Sequence, residues 1–446
     1  MIRDMTKGNI PNHLINFSIP LILGNLFQLT YNAVDSIVLG RFAGVDALAA
    51  VGTANPIMSI MILGITGLCI GASVLMSEYF GAENSVKLKK TFATTLIAGT
   101  LFSVFVAVAG AVLSGLMLKA MQVPAEIFSQ SRIYLQIIFL AMPFTYLYNA
   151  YAAAMRSVGD AKTPIRFLAM ASILNGCLDI IFIVFLHWDV IGAGMATLLA
   201  EAFSALMCIL YVYKKLPLLQ LFRKDIVLDK DILKCTIENA SVTALQQSCQ
   251  PIGKLMIQGV INPLGVDVIA AFNAVNRVDD FAFTPQQSVS SSIMTLVAQN
   301  RGAKKSNRIK KGFFDGLLVE AGYWILICSA ILLLREPIMR LFVGDTAPNM
   351  VKAGVDYLTL MAFFYLMPSF TNGVQGFFRG MGDMKITLIC TCIQITVRFI
   401  FVYLLVPRIG LSGVAYASLI GWFFMLLAEI PYYFYRDKAM FSKLAN

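Results

Sequence analysis

Two aspartates lie inside long apolar stretches of the sequence, where an ionisable side chain is costly. They are Asp35 and Asp179, and Asn175 precedes the second by four residues, so that on a helix the two share a face. Carboxylate and amide oxygens suit a hard cation such as Na⁺, and two close carboxylates in a medium of low dielectric also suit a proton. The pattern predicts a cation-coupling site; two acids that only fix helix packing are the alternative.

The stretches that carry these oxygen ligands position them at a similar depth. At a rise of about 1.5 Å per residue, Asp35 lies roughly 9 Å from the outer end of its stretch, and Asp179 and Thr197 lie roughly 12 Å from theirs. We therefore predict that Asp35, Asn175, Asp179 and Thr197 bind Na⁺ or H⁺ together. No other metal site is expected.

The second half of the chain carries a different set of charges. Arg277 and Asp280 are three residues apart and could pair along one helix, next to Asp279, and Arg398 lies at mid-depth of a later stretch. These four residues are predicted to form a structural ion network, with substrate or gating contacts as the alternative.

Polar side chains within the apolar stretches are candidates for a substrate cavity. The set is Gln28, Tyr31, Asn32, Asn149, Gln246, Gln250, Lys254, Asn372 and Gln375.

The composition of the 446 residues is that of a membrane protein. The chain is 58% hydrophobic and 13% charged, whereas a soluble domain usually carries about 25% charged residues. The eight cysteines show no metal-ligand spacing and are interpreted as apolar fillers.

Apolar stretches long enough to cross a bilayer recur between short polar breaks, which predicts an all-α protein with about twelve transmembrane helices. The predicted spans are 12–40, 46–78, 90–118, 130–155, 163–187, 189–213, 233–261, 267–299, 311–334, 353–378, 385–406 and 410–435.

Basic residues are concentrated on one side of this arrangement. The even-numbered breaks and both ends carry most of the Lys and Arg residues, and cytoplasmic loops are the basic ones. Both termini are therefore predicted to be cytoplasmic. Because this topology accounts for the net charge of +10, no nucleic-acid partner is expected.

The chain repeats itself. The Gly44–Ala50 block recurs at Gly265–Ala271, and Gly81-Ala82 recurs at Gly302-Ala303, both 221 residues later. The repeat predicts two pseudo-symmetric six-helix bundles, residues 1–213 and 233–446, joined by a cytoplasmic linker at 214–232. In the same register Met256 and Ile400 stand where the first half has Asp35 and Asp179. The cation site is therefore predicted in the first half only.

These blocks resemble the multidrug and toxic compound extrusion (MATE) family along nearly the whole chain. The resemblance rests on Val34-Asp35, Gly44–Ala50, Gly81-Ala82, Asn175-x-x-Leu178-Asp179, Gly192–Thr197 and two Arg-x-x-Gly-Asp blocks. It implies two lobes forming a V and an antiporter that exports organic compounds in exchange for Na⁺ or H⁺. By position, Asp35, Asn175, Asp179 and Thr197 match the family's N-lobe cation site.

The predicted function is thus secondary active efflux of organic, cationic or amphipathic compounds. The resemblance further implies a multi-pass monomer in the cell (inner) membrane, with the lipid bilayer and a small-molecule substrate as its partners. No cofactor is expected beyond the coupling ion. A flippase for a lipid-linked saccharide is the alternative, because Lys254, Arg277 and Arg398 could hold phosphate. A membrane enzyme is not expected, since the sequence has neither an HExxH motif nor a phosphate-binding loop.

Overall fold

The computed structural model describes residues 2–222, 225, 227–343 and 348–444, and this part of the chain is helical throughout, without strands. The helices of the first half are α1 (Ile10–Phe42), α2 (Val45–Gly81), α3 (Ser85–Ala120), α4 (Ala125–Ser157), α5 (Lys162–Asp179) and α6 (Asp189–Lys215). Those of the second half are α7 (Lys230–Ile261), α8 (Val266–Gly302), α9 (Ser306–Val343), α10 (Pro348–Phe364), α11 (Leu366–Gly380), α12 (Met384–Ile409) and α13 (Ser412–Leu444). Short 3₁₀ turns occupy Pro217–Leu219 and Asn262–Leu264.

The predicted spans coincide with these helices. Each of the twelve overlaps one helix, or one helix and its continuation, and the tenth corresponds to α10 and α11, which are bent by 41° at Tyr365. Within the described residues, eight helices are long and apolar enough to cross a membrane, and the bent pair would make a ninth. Helices α7 and α8 are less apolar because they carry amides and charges along their length. The prediction of an all-α polytopic membrane fold is confirmed.

Backbone contacts divide the chain into two compact units. The N-terminal unit contains Met1–Asp4 and Leu23–Ala244, and the C-terminal unit contains Met5–Ile22 and Leu245–Asn446. The first part of α1 thus belongs with the second half of the sequence, and the boundary falls within α7. The division at a 214–232 linker stays a prediction; three of its residues, Arg223, Lys224 and Ile226, lie outside the described residues.

Each unit has its own apolar core. In the N-terminal unit α4 packs against α2, α3 and α6, and its inner face is lined by alanines and tyrosines such as Ala152 and Tyr146. In the C-terminal unit α8 packs against α9, α10 and α11, while α12 packs along α13. Small side chains let α4 approach its neighbours closely, as is common between helices in membranes.

The internal repeat is also visible in the backbone. Gly44 and Gly265 precede α2 and α8 with φ of 92° and 99°. Gly159 and Gly382, in the two Arg-x-x-Gly-Asp turns, have φ of 85° and 82°. Glycine adopts this left-handed region without a steric penalty, so the repeated glycines mark turns of the same geometry in both halves.

Candidate functional site

Asp179 is the last α-helical residue of α5, at a change in helix geometry. The six residues that follow, Ile180–Phe185, are π-helical, and the N–H of Leu186 donates to the Ile181 carbonyl at 3.0 Å. Asp179 is 1% exposed, and within the described part of the chain no hydrogen-bond donor reaches either of its carboxyl oxygens. Such π-helical insertions often occur at functional sites.

The carboxyl group of Asp35, on α1, lies within hydrogen-bonding range of that of Asp179. A carboxylate accepts hydrogen bonds but has none to donate, and two ionised carboxylates in contact repel each other. The contact is therefore stable only with a proton on one of the acids or a cation beside them. Because the oxygens of Asp179 have no other partner, the pair fits either occupant.

Two further polar side chains border this acid pair. Asn175 is 4% exposed, one turn before Asp179 on α5, and its amide nitrogen has no acceptor among the described residues. Tyr134 of α4 is also 4% exposed and lies close enough to both acids to interact with them electrostatically. Tyr134 could not be predicted from the sequence, because a tyrosine within an apolar helix is ordinary; only the packing of α4 brings it near the two acids.

Thr197 keeps its hydroxyl proton within its own helix. The hydroxyl donates to the Ala193 carbonyl at 3.0 Å, which leaves only oxygen lone pairs for a ligand. The structure therefore brings Asp35 and Asp179 together, with Asn175 one turn away. The part of Thr197 in this site stays a prediction.

The predicted cavity residues of the first half have varied surroundings. Gln28 is exposed on α1, and the amide of Asn149 donates to the Thr145 carbonyl at 2.8 Å. The side chains of Tyr31 and Asn32 lie outside the described residues.

Gln246 and Gln375 bind each other inside the C-terminal unit. The amide of Gln246 on α7 donates to the Gln375 side-chain oxygen at 2.8 Å and to the Thr391 hydroxyl at 3.0 Å. The Arg379 guanidinium donates to the side-chain oxygens of both glutamines, at 3.2 and 3.3 Å. We call Gln246, Gln375, Arg379, Thr387 and Thr391 the glutamine cluster. Its amides are committed to one another, so they do not present a free polar surface.

The remaining predicted cavity residues of the C-terminal unit differ in exposure. Gln250 is exposed. Asn372 is partly buried, and its amide donates to the Pro368 carbonyl at 2.8 Å.

In the C-terminal unit, Asp280 forms its ion pair with a residue other than Arg277, the partner that the sequence suggested. Asp280 forms its ion pair with Lys254 of α7, with 2.9 Å between Nζ and Oδ1, and Arg277 is exposed. Asp279 is buried, accepts a hydrogen bond from the Tyr365 hydroxyl and lies near Arg398. Tyr365 lies at the bend between α10 and α11, so Asp279 and Arg398 are close to the break in that span.

Comparison with known proteins agrees with this architecture. The MatE family model matches residues 20–181 and 243–404, two segments that begin 223 residues apart. The chain is 27% identical over 445 residues to the probable multidrug resistance protein YpnP of Bacillus subtilis, covering 98% of each chain. It is 26% identical over 428 residues to the probable multidrug resistance protein NorM of Thermotoga maritima, covering 92% of this chain and 89% of that protein.

A solved structure has the same fold. It is an outward-facing conformation of a multidrug resistance MATE family transporter of the MOP superfamily, with a TM-score of 0.91, 21% identity and 98% of both chains covered.

Proposed function

Because the chain belongs to the MatE family, whose members are transporters and not enzymes, we propose that it exports small organic compounds by antiport with a cation that binds at Asp35 and Asp179. The observation that carries the proposal is the buried contact between these acids, in which Asp179 has no other hydrogen-bond partner among the described residues. The names of the two relatives described above support drug efflux as the direction of transport.

The coupling ion that we propose is a proton. A proton shared between the two neighbouring carboxyl groups would stabilise their contact without a further ligand, because the protonated acid donates to the ionised one. The two acids would release a proton when a substrate binds, which couples the two binding events. The proton shifts the equilibrium between conformations only to the extent that it binds one conformation more tightly than the other.

The substrates that we propose are organic cations and amphipathic compounds. Lys254 is the residue that most favours an anionic substrate, such as the phosphate of a lipid-linked saccharide. Its charge is balanced by Asp280 at 2.9 Å, which favours organic cations over an anionic substrate at this position.

We test coupling by flux of a panel of dyes into proteoliposomes under imposed pH or Na⁺ gradients. A 100 mV driving force moving one charge is worth about 2.3 kcal/mol, or roughly fifty-fold accumulation. Asp35→Asn and Asp179→Asn should each abolish accumulation, because an amide neither releases a proton nor carries the charge that binds a cation. Asp46→Asn, at an exposed acid in the first turn of α2, is the matched control and should transport normally.

Full accumulation in both Asp35→Asn and Asp179→Asn proteins would contradict the coupling site. Accumulation driven by Na⁺ at constant pH, and not by a pH gradient, would keep the site but overturn the choice of a proton.

The orientation in the cell membrane is part of the same proposal. Both termini are placed in the cytoplasm by the distribution of Lys and Arg residues. The protein is also proposed to act as a monomer, since Asp35 and Asp179, the acids of the proposed cation site, both belong to the N-terminal unit of one chain. Reporter fusions at the C-terminus, active only on one side of the membrane, test the orientation.

A further inference from the structure

The second part of α7, from Leu245 onwards, contacts α12 through side chains at two levels of the C-terminal unit. At one level, the Thr387 hydroxyl donates to the Gln246 side-chain oxygen at 3.1 Å, and the Gln246 amide donates to the Thr391 hydroxyl at 3.0 Å. Two turns further on, a Cβ at Gly253 would lie 3.2 Å from Cγ2 of Ile395. Residues 246 and 253 thus face residues 391 and 395 in one register.

Between these two levels, each helix carries a cysteine. The thiols of Cys249 and Cys392 lie within hydrogen-bonding range of each other. Both cysteines are reduced, Cys249 is partly buried and Cys392 is exposed. The contacts at Gln246 and Gly253 bring the two helices together on either side of the thiols.

We propose that Cys249 and Cys392 form an oxidation site that an organic hydroperoxide closes into a disulfide joining α7 to α12. One thiolate attacks the peroxide O–O bond, which gives a sulfenic acid on that cysteine and releases an alcohol. The second thiol then attacks the sulfenic sulfur, the S–S bond forms and water leaves. Two thiols and one hydroperoxide thus give one disulfide, one alcohol and one water.

A hydroperoxide fits this position because it dissolves in the bilayer. Cys392 lies roughly 12 Å along α12 from Met384, at 1.5 Å per residue, and its side chain is exposed. Peroxidised lipids would therefore reach this thiol from within the membrane, where water-soluble reductants are scarce.

The bond would hold together two helices that carry the polar side chains of this unit. Helix α7 contributes Gln246 to the glutamine cluster and Lys254 to the ion pair with Asp280. If α7 moves against α12 during transport, which rests on the proposed function, the disulfide should stop the cycle. Oxidised lipid would then act as a brake on export.

The test counts thiols on the full-length protein in lipid vesicles treated with cumene hydroperoxide. Alkylation followed by intact mass should show a fall from eight reactive thiols to six, as two are lost, and dithiothreitol should restore all eight. Peptide mapping should find a reducible link between the peptides that contain Cys249 and Cys392. Cys249→Ser and Cys392→Ser should each abolish the link.

The matched control is Cys235→Ser, which removes another exposed cysteine of α7 and should leave the link intact. Eight reactive thiols after treatment, or a two-thiol loss that persists in Cys249→Ser, would overturn the site.

Dye flux provides the second readout. Oxidation should stop flux in the wild type and spare Cys249→Ser; unchanged flux in linked protein would overturn the brake. A chain that shows no flux even when reduced would contradict the proposed function, while thiol counting still decides the oxidation site.

Discussion

Two buried glutamates of the C-terminal unit differ in their neighbours. Glu320 of α9 and Glu429 of α13 are each 0% exposed. Gln375 and the guanidinium of Arg379 lie beside Glu429, whereas Glu320 has no hydrogen-bond partner among the described residues and packs beside Gly373 and Tyr323. A buried polar group without a partner costs about 1–3 kcal/mol.

Replacing these glutamates by leucine should have opposite effects on stability. Glu320→Leu should raise the free energy of unfolding by about 1–3 kcal/mol, because it removes an unpaired polar group. Glu429→Leu should lower it by about 3 kcal/mol, because it leaves the buried charge of Arg379 without a counter-charge. Thermal unfolding of the detergent-solubilised proteins measures both, and a shift of the same sign in the two variants would contradict the assignment of partners.

At the residue scale, the sequence indicates residues whose burial is costly and not residues whose role depends on their neighbours. Asp35 and Asp179 stood out because a carboxylate is costly in an apolar span. Tyr134 did not, since only the packing of α4 brings it near these acids, and Arg379 was visible only as part of an Arg-x-x-Gly-Asp block, without its contacts to Gln246 and Gln375. Gln246 and Gln375 were expected to line a cavity, but sequence spacing does not show that two amides on different helices bind each other.

At the scale of elements, the two Arg-x-x-Gly-Asp turns share a backbone and differ in what surrounds it. A Cβ at Gly159 would lie 2.2 Å from the Arg3 carbonyl oxygen, which is backbone. A Cβ at Gly382 would lie 2.6 Å from the end of the Arg301 side chain, which can move. Both glycines have positive φ, so alanine carries the same backbone strain at either position.

Replacing each of these two glycines by alanine should therefore distinguish the effect of backbone strain from the effect of a steric clash with a neighbouring backbone. Gly382→Ala should lower the free energy of unfolding by about 1–2 kcal/mol, which is the penalty of a left-handed conformation for a residue with a Cβ. Gly159→Ala should lower the free energy of unfolding by more, because the added Cβ must also displace the Arg3 carbonyl. That displacement strains the hydrogen bond from the Arg3 N–H to the Val158 carbonyl. Thermal unfolding of the two variants gives the comparison; equal losses would show that the N-terminal residues do not press on this turn.

The twelve spans were predictable because apolar length is set by bilayer thickness. The bend at Tyr365 also has a cause in the sequence, because Pro368 has no N–H to donate to the Phe364 carbonyl and its ring crowds that carbonyl. The π-helical segment after Asp179 occurs in continuous apolar sequence, and nothing in the sequence indicates it.

At the scale of the whole chain, residues near the N-terminus are bound by the second half of the sequence. The Met5 N–H donates to the Gln299 side-chain oxygen at 2.9 Å, and the Arg308 guanidinium donates to the Met5 and Lys7 carbonyls at 3.0 and 2.8 Å. Lys305 donates to the Thr6 carbonyl at 2.8 Å. These bonds form within the C-terminal unit, at the turn between α8 and α9.

Arg308→Ala should release this N-terminal segment. Exchange of the backbone amide hydrogens of residues 5–9 should become several-fold faster, because the Arg308 guanidinium binds two carbonyls of this segment. Lys311→Ala, which removes an exposed charge one turn later on α9, should leave exchange there unchanged. Equal protection in the wild type and Arg308→Ala would show that other contacts hold the segment.

The assignment of Met5–Ile22 to the C-terminal unit also has a consequence for biosynthesis. The ribosome makes this segment before its partners Gln299, Asn300 and Arg308, which follow about 300 residues later. The start of α1 therefore lacks its native contacts while most of the chain is synthesised and inserted into the membrane. Synthesis truncated before α8 should thus expose this segment to quality-control proteases, and supplying the second half as a separate polypeptide should protect it.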